Sequence, residues 1–281
     1  QGSTHTSSWT FTGNPGPDWD NAYRPGDNLW TDSTIALDAD SGKIKWGFQH
    51  TPNDPYDYDS INENTFVDTQ INGKFVRATL HANRNGYAYA LDRKTGEPLW
   101  CTQFVSDLNW SGGLDAKCKP KSYDPKKDVQ TYMPGTAAAR GTATKGRGTV
   151  DGVLRPGHMG GKNWPPTTYS PQTNRYYIPT IDGCNKAFAE VAIPGEFKHR
   201  QLFLGGAPFT TYEDKDCGRI WGSVTAIDVG TGKVVKKHTT KHPQLGGLLS
   251  TAGGLVFAGY AEGQFVALDA ETLDELWKFE T

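Results

Sequence analysis

The sequence predicts an all-β protein, a β-propeller of which this chain supplies about four to five blades. Three observations carry that prediction. A short motif recurs four times, glycine and aromatic residues are plentiful, and amphipathic helix periodicity is weak throughout.

The motif reads Ala-x-Asp-x-x-Ser/Thr-Gly-x-x-x-Trp. It runs from Ala36 to Trp46, from Ala90 to Trp100, from Ala226 to Lys236 and from Ala267 to Trp277. The third copy has Lys236 where the others have Trp, and the fourth has Leu273 where the others have Gly. Each part has a physical reading. The Ala-apolar-Asp end closes a strand, the Asp and the Ser or Thr bond turn donors, and Gly supplies the positive φ of a hairpin. The following strand ends in a Trp that can dock on its neighbour, so Trp46, Trp100 and Trp277 are expected in the core. Copies start 54, 136 and 41 residues apart. Propeller blades recur at about 40–50 residues, so the middle gap has room for two further degenerate or decorated blades.

Composition narrows the function. The 281 residues carry 29 Lys and Arg against 31 Asp and Glu, a net charge of −2, with no basic cluster. That argues against a nucleic-acid partner. Apolar runs such as Gly253 to Gly259 are strand-length, far short of a membrane span. The chain opens on Gln1 without an initiating Met, as a processed terminus or a fragment would. No hinge divides it, so residues 1–281 are expected to form one domain. Four cysteines permit two disulfides in three connectivities. Local pairing gives Cys101–Cys118 and Cys184–Cys217, with buried free thiols as the alternative.

The chemistry-bearing stretch is Asp54-Pro-Tyr-Asp57-Tyr-Asp59-Ser-Ile-Asn-Glu63. In extended backbone, Asp57 and Asp59 point to the same side. Two adjacent carboxylates ask for a metal, a basic partner or solvent. Alone, the stretch reads as an acidic surface turn, with Asp54 and Glu63 as solvated or outlying carboxylates. His50, His81 and His158 have no ligand spacing and read as ordinary polar residues.

The repeat resembles that of the pyrroloquinoline-quinone (PQQ) alcohol dehydrogenases, including methanol dehydrogenase large subunits, when it is taken with the order Thr12-Gly-Asn14-Pro, Asp57-x-Asp59, Asn83-Arg84-Asn-Gly and Asn163-Trp164. The resemblance spans nearly the whole chain. It implies an eight-bladed propeller, truncated here at both ends, in a periplasmic oxidoreductase that oxidises a small primary alcohol and passes electrons to cytochrome c. It implies Asp57 as general base and Arg84 as the group that holds both the base and the quinone oxygens. It further implies Asn163 and Trp164 as cofactor contacts, and Asn14, Asp57 and Asp59 around the cofactor-bound metal. An Asp at the Asp59 position marks the lanthanide-dependent branch, with Ca²⁺ as the alternative ion. A homodimer is compatible with the sequence. The same resemblance leaves a Glu metal ligand, a Trp floor and a vicinal disulfide without counterparts before Asn14. Gln244-Leu-Gly-Gly also stands where relatives place a Trp or Asn near the cofactor. The other readings are a sugar dehydrogenase of the same superfamily and a non-catalytic propeller scaffold such as the outer-membrane assembly lipoproteins. A scaffold gives no reason for Asn14, Asp57, Asp59, Arg84 and Asn163 to occur together.

Overall fold

A computed structural model describes residues 7–132, 153–189, 200, 202–209, 213–214 and 218–281. Three consecutive strands, β1 (Ser7–Phe11), β2 (Ser33–Asp38) and β3 (Ile44–Gln49), pair in that order. A four-stranded sheet follows from β4 (Thr65–Ile71), β5 (Lys74–Ala82), β6 (Tyr87–Asp92) and β7 (Pro98–Gln103). The next begins with β8 (Thr168–Ser170) and β9 (Arg175–Asp182). It is interrupted by short pairs, β10 (Lys186–Ala189) with β11 (Gly206–Phe209) and β12 (Glu213–Asp214) with β13 (Gly218–Arg219). It closes with β14 (Trp221–Asp228) and β15 (Lys233–Thr240). The last sheet is β16 (Leu248–Ser250), β17 (Leu255–Tyr260), β18 (Gln264–Asp269) and β19 (Glu275–Glu280). All ladders are antiparallel between neighbours. These are four sheets of an up-and-down propeller. The described part of the long gap between the second and third motifs holds no further blade. It holds β8 and β9, which carry no motif, the short pairs β10–β11 and β12–β13, and irregular connections.

In every sheet the motif forms the last two strands and the turn between them. Each copy has a register shift at the same place: after Ala36, Ala90, Ala226 and Ala267. The Asp then caps the turn. Asp38 Oδ1 accepts from the Ser41 amide at 3.0 Å, Asp92 Oδ1 from Thr95 at 3.0 Å, Asp228 Oδ1 from Thr231 at 2.8 Å and Asp269 Oδ1 from Thr272 at 2.8 Å.

The motif's Trp and Gly belong to one joint between consecutive sheets. Trp46 Nε1 donates to the Arg93 carbonyl at 3.2 Å and its ring lies on Gly96. Trp100 Nε1 donates to the Val229 carbonyl at 2.9 Å and its ring lies on Gly232. A Cβ on Gly96 would stand 2.5 Å from the Trp46 ring, and its φ of +76° already disfavours an L side chain. The two irregular copies explain each other. Lys236 offers no indole, so the next turn need not be Gly, and Leu273 there is buried in the core between the last two sheets. Gly96→Ala is therefore expected to destabilise the protein by roughly 1–3 kcal/mol, read as a lower denaturant midpoint. Trp277 departs from the expected core position. No described sheet follows to receive it, and it is 50% exposed, stacked on Phe279.

The core lies between sheets. Val67, Leu80, Ala90, Ile178 and Ile227 fill the space between the second and third sheets. Val224, Ala226, Val256, Val266 and Leu268 fill the next. Recurrent alanines let the sheets approach closely while aromatic residues fill wider gaps. Cys101 and Cys118 form a disulfide, tying β7 to the segment after it. Cys184 is also disulfide-bonded, while Cys217, its expected partner, lies outside the described residues.

His50 and His81 are fully buried and stacked at 4.6 Å, not ordinary surface polar residues. Burial is the largest cause that lowers both pKa values, His81 to about 4. His81 is thus neutral in the fold, whereas an unfolded His titrates near 6.5. Its contribution is fully present above that value and is lost as pH falls towards 4. Lowering the pH from 7 to 5 is expected to remove about 2 kcal/mol of stability through His81. The check is the difference in unfolding free energy between the unsubstituted protein and His81→Gln at the two pH values.

Candidate active site

Because neighbouring strands alternate in direction, the connections fall into two sets. Those at one end are the short motif turns and their counterparts. Those at the other end include the long connections 12–32, 50–64, 104–167 and 183–220, together with the tight 83–86 turn. The predicted site residues all lie on this second set. Long loops on a rigid sheet scaffold are where sites are commonly built.

Packing fixes the acidic stretch. Tyr56 and Tyr58 are buried against Trp110, and Tyr58 Oη donates to the Pro156 carbonyl at 2.5 Å. Asp54 is fully buried, which rules out the solvated one of its two expected readings and leaves the outlying one. Its Oδ1 accepts from the Tyr56 amide at 2.9 Å and its Oδ2 from the Tyr58 amide at 2.7 Å, an internal cap on the loop. The backbone is not extended as assumed: Asp57 has φ +61°. The tyrosines nevertheless face the core, and Asp57 and Asp59 turn the other way towards Arg84.

Four predicted residues from three connections converge there. Arg84 Nη2 lies 3.1 Å from Asp59 Oδ2, and Nη1 lies 3.8 Å from Asp57 Oδ1. Arg84 Nη1 also donates to the main-chain carbonyls of Asp57 at 3.2 Å and His158 at 3.3 Å. Asp59 Oδ1 accepts from the Asn14 main-chain N–H at 2.9 Å, while the Asn14 side-chain Nδ2 donates to the Pro15 carbonyl at 3.4 Å. Gly13 is required beside it, since a Cβ there would overlap that carboxylate. Arg24 ties the 12–32 connection to the acidic stretch by donating to the carbonyls of Pro17, at 2.9 Å, and Asp54.

Asn163 is buried against the same region. Its Nδ2 donates to the Met159 carbonyl at 3.0 Å. The adjacent Gly161 amide donates to the Arg84 carbonyl at 2.7 Å, and Gly160 lies directly on Arg84. Trp164 is not drawn in; its side chain is 70% exposed. Gln244, where relatives place a Trp or Asn, is buried and structural. Its amide nitrogen donates to the Gly259 carbonyl at 2.9 Å. The 157–160 segment that packs on Arg84 also borders an apolar cavity of about 270 Å³, lined by Met159, Ile181, Ile220, Pro243 and Leu245; Arg84 itself is not in its lining.

Electrostatically the site is short of positive charge. Burial raises the Asp57 carboxyl to about 8. Arg84 opposes the rise, while Asp59, Asp54 and Asp18 add to it. Burial likewise raises Asp54 to about 7, and the amides of Tyr58 and Tyr56 oppose it. Asp32, which sequence reasoning missed, is fully buried with neither carboxylate oxygen hydrogen-bonded. Burial, then Asp54, push its pKa well up. Buried carboxyls in such a state stay protonated unless a cation is bound beside them.

Comparison with known proteins decides the family. A model described as the glucose/ethanol/alcohol dehydrogenase β-propeller domain matches residues 9–131, the part that holds Asn14, Asp57, Asp59 and Arg84. The quinoprotein alcohol dehydrogenase PedH of Pseudomonas putida is 38% identical over 275 residues, covering 96% of this chain and 42% of that protein. The lanthanide-dependent methanol dehydrogenase of Methylorubrum extorquens is 34% identical over 272 residues, covering 96% and 43%. A europium-containing methanol dehydrogenase structure superposes with a TM-score of 0.82 at 29% identity, covering 100% of this chain and 45% of that one. The chain belongs to the PQQ-dependent alcohol dehydrogenase family. It spans about two fifths of the length of the curated relatives it matches.

A second model, outer membrane protein assembly factor BamB, matches residues 221–281. That window holds the last two motif copies and none of the predicted site residues, so it reports the repeat that this dehydrogenase family shares with other propellers.

The residues fit a hard cation in part. Asn14, Asp57 and Asp59 offer only oxygen donors, as such ions require. Asp57 has no partner closer than Arg84. Asp59 has one oxygen on Asn14 and the other on Arg84. Among the described residues no group of three or more His, Cys, Asp or Glu could hold a metal alone. Two carboxylates and an amide are therefore only part of the oxygen set such an ion takes.

Proposed function

We propose that this chain carries the base-and-metal side of a quinoprotein alcohol dehydrogenase that oxidises a small primary alcohol to the aldehyde. The observation that supports it best is the convergence of Asn14, Asp57, Asp59 and Arg84 from three separate connections at one end of the propeller. The relatives named above as alcohol and methanol dehydrogenases support the substrate class.

In this reading Asn14, Asp57 and Asp59 supply oxygens to a lanthanide ion, with Ca²⁺ as the alternative, and Arg84 and Asn163 face PQQ. When bound, the metal-held quinone is the two-electron acceptor for the alcohol's hydride equivalent. Asp57 takes the hydroxyl proton. The planar guanidinium fork of Arg84 holds the base and its main chain in register. Electrons leave to a cytochrome c in the periplasm. Among the described residues no helix is long and apolar enough to cross a membrane.

The test is dye-linked oxidation of ethanol by the whole protein that carries this chain, with PQQ and either La³⁺ or Ca²⁺. Turnover that requires PQQ and is highest with La³⁺ is expected. Turnover with Ca²⁺ alone would exclude the lanthanide assignment. No PQQ uptake with either ion would favour a scaffold.

A further inference from the structure

Lys162 is fully buried, an unusual position for an ammonium group. Its Nζ donates to Glu63 Oε2 at 2.9 Å and to the Asn163 carbonyl at 2.9 Å. Glu63 is held in turn: its Oε1 accepts from the Thr167 amide at 2.6 Å and from the Thr167 hydroxyl. Burial raises the Glu63 pKa, but Lys162 and Thr167 outweigh it and the net shift is downward. Burial lowers the Lys162 pKa and Glu63 opposes that fall, so the 2.9 Å contact is what supports charge on both groups.

Its location gives it a task. Glu63 ends the acidic stretch that carries Asp57 and Asp59. Lys162 sits next to Asn163 and one residue from Gly161, whose amide bonds the Arg84 carbonyl at 2.7 Å. Gly160 has φ +77°, and a Cβ on it would stand 2.5 Å from Arg84 Cβ, so the 157–163 segment is pressed onto Arg84. Three chain segments with no sequence proximity are thus tied into one unit: the acidic stretch, the Arg84 turn and the Asn163 turn. The Glu63–Lys162 pair is its charged link.

We infer that Glu63 and Lys162 are positioning residues, which set the Asn163 main chain against Arg84 and the acidic stretch for cofactor binding. This rests on the proposed cofactor contact of Asn163. A buried ion pair is weak evidence of stabilisation, because neutral replacements of both partners are often tolerated while removal of one is not. Neutralising both partners therefore separates positioning from stability.

The experiment uses the whole protein, freed of cofactor and titrated with PQQ at fixed La³⁺ or Ca²⁺. Tryptophan fluorescence reports binding, and thermal unfolding is measured in parallel. Lys162→Met leaves Glu63 without its cation and is expected to lower the Tm by roughly 5 °C. Lys162→Met with Glu63→Gln is expected to regain most of that Tm, yet bind PQQ about tenfold more weakly than the unsubstituted protein. PQQ affinity unchanged in the double variant, or lost only in step with Tm, would overturn the inference alone. An unsubstituted protein that takes up no PQQ would overturn the proposed function, and this inference with it.

Discussion

Replacing Asp57 with asparagine is expected to lower the turnover of alcohol oxidation roughly 10²–10⁴-fold, the range typical of a lost general base. The substitution is nearly isosteric. The loop stays in place without the carboxylate because Arg84 holds the Asp57 main-chain carbonyl, and Tyr56 and Tyr58 anchor both sides. The variant should therefore still take up cofactor. A pH profile gives a second readout. A base works only when deprotonated, so turnover should rise with pH through the Asp57 pKa, and Asp57→Asn should lose that limb. The group lies at about 8 in the protein alone, and a bound cation moves it down. The stability sign is opposite to that of His81. A folded pKa raised above 3.8 favours the protonated fold, so stability contributed by this group is full below that value and lost as pH rises towards 8. Asp57→Asn removes this penalty. The cofactor-free variant should unfold at a higher temperature than the unsubstituted protein at neutral pH, while losing activity.

Asp59→Ala is expected to reduce lanthanide-supported turnover about 100-fold, with a smaller effect on any turnover that Ca²⁺ supports. A trivalent ion needs more compensating charge than a divalent one, and Asp59 is the carboxylate beyond the base. The residue also has a local role. One oxygen fixes the Asn14 amide and the other meets Arg84 Nη2. Its removal frees the Gly13–Asn14 turn and leaves Arg84 with a weaker partner in Asp57. Turnover titrated with La³⁺ and with Ca²⁺ separates the two effects. Equal losses with both ions would assign Asp59 to the turn; unchanged La³⁺-dependent turnover would remove it from metal selection.

The motif was legible because its physics is local. Asp38, Asp92, Asp228 and Asp269 cap turns within three residues of themselves, so one short pattern marks the last two strands of every sheet. The first two strands were less visible. β8 and β9 carry no such cap, so by motif spacing alone the long gap has room for extra blades. The pairing of Trp with the next turn's Gly is written in the sequence twice over, once by its presence and once by the joint loss at Lys236 and Leu273. Within the site, family register located Asn14, Asp57, Asp59 and Arg84, and their convergence followed. The burial of Asp54 and Asp32, the carbonyl cage around Arg24 and the Lys162–Glu63 pair had no local signal. Each depends on chain segments brought together only by the fold.

The most direct measurement is anomalous diffraction at the lanthanum edge from crystals of the whole protein grown with PQQ and La³⁺. The expected result is one strong peak with oxygens of Asp57, Asp59 and Asn14 within about 2.6 Å, as hard oxygen-ligated ions adopt. A bound lanthanum elsewhere, or one at this site that leaves Asp59 paired only with Arg84, would contradict the division of these two carboxylates into base and metal selector.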